Sequence, residues 1–189
     1  MNEILIRQTQ NETRLALEVS ANAAIRRIRL ARAKLASQAA EQITNAPVAV
    51  AFQRKSKAIE PPPNVLRSEI EFRMVGVPGK GGRGQGAQEN KLSLKQPPPV
   101  VRVECAYHVD YDLRPGFQIT PAHIKAFKNG NAIFNAWPYF REYLQDCLQR
   151  MGLPPLAAPF LRLMPKRRPE EHTKQTHKAH RIPPAQSLT

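Results

Sequence analysis

Residues 100–113, VVRVECAYHVDYDL, decide how the rest of the chain is read. Val101, Val103, Cys105, Tyr107, Val109, Tyr111 and Leu113 fall on one parity, and Arg102, Glu104, Ala106, His108, Asp110 and Asp112 on the other. A side chain switches face at every residue of a strand, so this alternation specifies a strand with one buried and one wetted face. Strands of that kind build antiparallel sheets, because parallel sheets are covered on both sides.

Working outward, residues 64–76, NVLRSEIEFRMVG, repeat the pattern. Leu66, Ile70, Phe72 and Met74 share one face, while Arg67, Glu69, Glu71 and Arg73 share the other. The connection between the two strands is rich in Gly, Lys and Gln and closes on three prolines, which reads as a long loop with a short strand extension at Lys91–Lys95. Its glycines do not form a phosphate loop: no GK[ST] follows four intervening residues, and no strand-to-helix junction surrounds them.

Downstream, Thr120 is placed to cap a helix, Pro121 suits its first position and Gly130 its end. A second helix is predicted from Asn135 as cap, with Pro138 in its first turn, where the missing N–H costs nothing. Trp137, Phe140, Leu144, Leu148 and Met151 step by three and four, forming one apolar stripe. That stripe is expected to serve the core and a subunit interface. Gly152 then ends the helix, and Pro154 and Pro155 prevent its resumption.

The N-terminal third is ambiguous. Ala24, Ile28, Ala31, Leu35, Ala39 and Ile43 lie near one face of a helix in a run of helix formers, so local propensity favours a helix. Residues 47–55, PVAVAFQRK, read as a strand with Val48, Val50 and Phe52 on one side, and PPPN at 61–64 marks a turn. Beyond Leu163 no apolar periodicity remains, which predicts a disordered basic tail. The spacing of His172, His177 and His180 is not that of a zinc site, so no metal or cofactor is expected.

A formal charge of +14 raises the possibility of a nucleic-acid binder. Residues 99–160, however, carry six Lys/Arg against five acids. The excess is read as belonging to flanks and loops, which makes nucleic acid the less favoured partner. No run of eighteen apolar residues spans a membrane, and the first residues lack the apolar block of a secretory signal; with Cys105 and Cys147 read as reduced thiols, the expectation is a cytoplasmic protein. Catalysis finds no support, because His108, Asp110 and Glu104 share the polar strand face while Cys105 and Tyr107 point away from it.

The stretch 132–163 resembles the helical C-terminal core of the SecB family of export chaperones. Pro138, Tyr139, Arg141 and Glu142 match the family's P-[YF]-x-R-E helix start, and Gly152, Pro154, Pro155 and Leu156 its helix-ending Gly and PPL-type loop. The resemblance implies an α+β domain over 25–163, a four-stranded antiparallel sheet followed by a short and a longer helix, with residues 1–24 as an extension and 164–189 as a basic tail. Its strands would be 25–37, 47–57, 64–76 and 100–113, which sets strand against the local helix reading of 25–37. It implies a non-enzymatic holdase for unfolded or precursor polypeptides, assembled as a dimer or tetramer. Client contacts are expected at Ile43, Val48 and Phe52, beside the crossover connection 38–46. Family members are typically acidic and offer an acidic surface to the SecA motor; this basic chain has no evident counterpart.

Overall fold

The computed structural model describes residues 3–37, 48–59, 64–78 and 99–166. Strands β2 (Ala23–Ser37), β3 (Val48–Ile59), β4 (Val65–Pro78) and β5 (Val101–Leu113) form one antiparallel sheet in the order β2-β5-β4-β3. Helices α2 (Pro121–Lys128) and α3 (Asn131–Arg150) follow. This is the expected architecture, with 25–37 as strand rather than helix.

Two irregularities explain why local reading of β2 fails. The register slips between Ile25 and Arg27 and again between Leu30 and Arg32, so Arg26 and Ala31 are each an extra residue against β5. Each slip flips the parity that follows. Ile25, Ile28, Leu30, Ala33 and Leu35 therefore pair with Tyr111, Val109, Tyr107, Cys105 and Val103, all on the inner face. Their spacing of three, two, three and two is neither a strand period nor a helix period.

The inner faces of β4 and β5 meet α3. Phe72 stacks on Phe140 at 4.8 Å between ring centroids, and Trp137 meets Phe72 at 5.4 Å and Phe52 at 6.2 Å. Burial of each large side chain here is worth roughly 1.5–3 kcal/mol. The Trp137 indole Nε1–H donates to the Pro159 carbonyl at 3.1 Å, so its one polar atom is satisfied.

Thr120 caps α2 and Pro121 is its first residue, as the sequence indicates. The longer helix differs from expectation: it starts at Asn131, four residues before the Asn135 cap, and Pro138 lies inside it. Gly152, with φ of +68°, ends it, and the Leu153 N–H donates back to Leu148 at 2.9 Å, a closing geometry that favours glycine.

The first residues are not an appended extension. Strand β1 (Glu3–Gln8) inserts Ile4 and Ile6 into the core and pairs in parallel with β6 (Phe160–Pro165). Helix α1 (Gln10–Asn22) begins with a capping box, in which the Glu12 N–H donates to Thr9 Oγ1 at 3.2 Å and the Thr9 N–H donates to the Glu12 carboxylate at 2.8 Å. Gln8 donates from Nε2 to the buried Ala126 carbonyl at 2.9 Å. A Cβ at Gly130 would stand 2.5 Å from that same Nε2, so a larger residue there would push the Gln8 amide away from the Ala126 carbonyl. Ordered structure also runs past Leu163, because β6 extends to Pro165.

Candidate functional site: an uncovered edge strand

Among the described residues, strand β2 is an edge of the sheet and no helix lies over its inner face. Ile25, Leu30 and Leu35 are 52%, 43% and 49% exposed, although their partners on β5 are buried. The side of this strip is formed by α3. The Tyr107 hydroxyl donates to the Tyr139 carbonyl at 3.0 Å, and the two rings lie 6.4 Å apart. Asn135 Nδ2 donates to the Tyr111 hydroxyl at 3.1 Å. Asn135, Tyr139 and Tyr143 step by four along the helix, so α3 runs beside β5 with this row on the flank toward β2. The result is an apolar trough: Ile25, Ile28, Leu30, Ala33 and Leu35 form its floor, and Tyr139, itself 46% exposed, and Tyr143 stand at its wall. A trough of this kind can take extended apolar chain without reading sequence, and the backbone edge of β2, unpaired among the described residues, can accept another strand.

The opposite face of β2 explains why a strand with so little burial holds its place. Arg27 and Arg67 both reach Asp110, at 2.8 and 2.6 Å. Hydrogen bonding from Arg67, opposed by burial and reinforced by Arg27, holds the Asp110 carboxyl down at about 2. Arg32 lies opposite Ala106, whose small side chain lets the guanidinium pass over β5 to Glu69 and Glu71 on β4. Burial would raise the Glu69 carboxyl, but hydrogen bonds from Lys57, His108 and Arg32 bring it to about 2. His108 lies between β2 and β4, with Nε2 2.9 Å from the Glu69 carboxylate and Nδ1 2.9 Å from the Arg29 guanidinium. Strand β2 is thus pinned by charge from outside the sheet while its inner apolar row stays open.

The residues predicted from sequence are placed differently. Ile43 and the crossover 38–46 lie outside the described residues, as do Lys91–Lys95 and the tail beyond Lys166. Val48 is half-buried at the start of β3, and Phe52, 7% exposed, is wedged against Trp137 and Phe140. Trp137, Phe140, Leu144 and Leu148 are buried against the chain's own sheet, and only Met151 keeps partial exposure. These side chains fill the core of one chain, so they do not offer their surface to another. Sequence reasoning missed the floor of the trough; the irregular recurrence of Ile25, Ile28, Leu30, Ala33 and Leu35 was its only local trace.

The charge expectation is also corrected. Arg26, Arg27, Arg29, Arg32 and Lys34 belong to a sheet strand rather than to a flank. Burial pushes the Cys105 thiol up to about 12 and raises that of Cys147, both unfavourable to thiolate formation. Among the described residues no group of His, Cys, Asp and Glu has the arrangement of a metal site, and no helix is long and apolar enough to cross a membrane.

No protein-family model matches the chain, and no curated protein matches it. Among solved structures, it is similar to the Mycobacterium tuberculosis SecB-like chaperone Rv1957, determined in complex with a ChAD peptide from the Rv1956 HigA1 antitoxin. The match has a TM-score of 0.62 at 21% identity and covers 80% of this chain and 99% of that one. A Streptococcus agalactiae protein of unknown function matches over 73% of this chain at 6% identity, with a TM-score of 0.40 too low to carry weight. The four-stranded antiparallel sheet with its following helices is therefore a SecB-like fold.

Proposed function

We propose that the chain is a chaperone that holds unfolded polypeptide on the trough between β2 and α3. The observation that carries this reading is the apolar row Ile25, Leu30 and Leu35, in register with a buried strand yet open to solvent. Contacts made there are apolar and unspecific, which suits clients that share no sequence. A SecB-like chaperone whose structure was solved in complex with a peptide supports polypeptide as the ligand class.

Self-assembly is proposed at the same place. An unpaired strand edge is a template for a second copy, and antiparallel pairing of two β2 edges about a two-fold axis would join two sheets into one. Edge pairing satisfies backbone groups and leaves the inner faces open, so two half-troughs would merge into one floor between two α3 walls. Hand-off to a SecA-type motor through an acidic surface finds no support, because Asp110, Glu69, Glu71 and Glu104 are each taken by a cation of the sheet.

The test is suppression of aggregation of a slow-folding client, with oligomer mass measured by light scattering. The reading predicts suppression at near-stoichiometric protein, insensitivity to salt, and a mass that is a multiple of 21.3 kDa. Aggregation proceeding at the uncatalysed rate would refute the holding function. A mass of one chain would refute the assembly.

A further inference from the structure

The polar face of the sheet has cations that its carboxylates do not satisfy. Near its middle lies a shallow depression of about 300 Å³, to which Arg32, Lys34, Lys55, Glu71, Arg73 and Glu104 contribute. Both carboxylates there are occupied: Glu71 by Arg32, and Glu104 by Arg73 at 3.0 Å and Arg102 at 3.8 Å. Lys34 and Lys55 are exposed, and neither is ion-paired among the described residues. Arg29, on the same strand as Lys34, has no carboxylate partner among the described residues and meets Nδ1 of His108.

We propose that this face docks an acidic, extended polypeptide segment, with carboxylates seated on Lys34 and Lys55 across the depression. The surface lies on the side of the sheet opposite the trough, so it can be occupied independently of a client. Charge complementarity selects the ligand: free cations fixed among paired ones attract carboxylates and steer their approach. A nucleic-acid strand fits less well. No Phe, Tyr or Trp faces outward from the four described strands to stack a base, and the interleaved Asp110, Glu69, Glu71 and Glu104 oppose a continuous run of phosphates. A carboxylate-bearing peptide can instead place its charges only where the free lysines are.

The experiment compares the full chain with its Lys34→Glu/Lys55→Glu variant by fluorescence anisotropy, using a labelled alternating Glu-Ser peptide and an oligothymidylate of matched length. The Lys and Arg residues of 166–189 are present in both proteins, so the difference reads the sheet face alone. Binding of the peptide should weaken about tenfold in the variant, since two attractions become repulsions. Aggregation suppression should be unchanged in the same preparation, which separates this proposal from the holding function. Should the reversal variant fail to fold, Lys34→Gln/Lys55→Gln should still weaken the peptide about threefold. Unchanged peptide affinity in the folded variant would overturn the proposal. So would an oligothymidylate bound more tightly than the peptide and weakened by the same substitutions, which would make this a nucleic-acid surface.

Discussion

Strands β2 and β5 lie side by side, paired along their whole length, and their inward rows meet different fates. On β5 the row from Val101 to Tyr111 is buried, because α3 lies over it and over β4. On β2 the row that faces the same side is open, because the helix ends its cover at Tyr139. Strand pairing and burial are separate conditions: the first is met by backbone hydrogen bonds and the second needs a covering layer. An apolar row that meets only the first condition is available to something else.

The sharpest break between the regions should be energetic. Phe72→Ala, under α3, should cost roughly 3–5 kcal/mol of unfolding free energy by denaturant titration, through lost transfer energy and the cavity left behind. The outer pins come next. Asp110→Asn removes the charge that Arg67 and Arg27 share, and should cost roughly 2–3 kcal/mol while leaving β4 and β3 paired. Hydrogen exchange should then show faster opening in Ala23–Ser37 than in Val48–Ile59.

The same pins give a pH dependence with a definite sign. Asp110 and Glu69 sit at about 2 in the folded chain, below the values of about 4 in an unfolded one. Their stabilisation is therefore fully present above about pH 5 and is lost as pH falls through about 4 toward 2. Denaturation midpoints measured across that window should drop for the parent chain and drop less for Asp110→Asn. At the small end, Leu30→Ala should change stability by no more than about 0.5 kcal/mol, since its site is half open already. A loss comparable to that of Phe72→Ala would mean that the inner row of β2 is covered in solution, against the open trough.

How much of this was legible depended on whether one local period governed each element. Strand β5 and the cap of α2 were readable because strict alternation and a Thr-Pro start each have one physical interpretation. Strand β2 was not, because two extra residues break its alternation into a pattern that a helix also tolerates. The β1–β6 pair leaves little local trace because it joins two six-residue strands far apart in the chain; the Thr9 and Glu12 spacing is the signal that could have marked the helix after β1. Phe52 and the Trp137 stripe stand out in the sequence as apolar; that they face each other inside one chain is a tertiary fact no spacing reveals. The trough depends on where α3 stops covering the sheet, which is likewise invisible in sequence.

On the proposed function, the open inner row of β2 holds client. The direct test is aggregation suppression by Leu30→Ser/Leu35→Ser, with melting temperature and oligomer mass recorded on the same sample. Both residues are about half exposed, so the fold should survive with its melting temperature nearly unchanged. Holding should fall several-fold or more while the chain stays folded. Full holding by a folded variant would contradict the proposal and place client contact elsewhere.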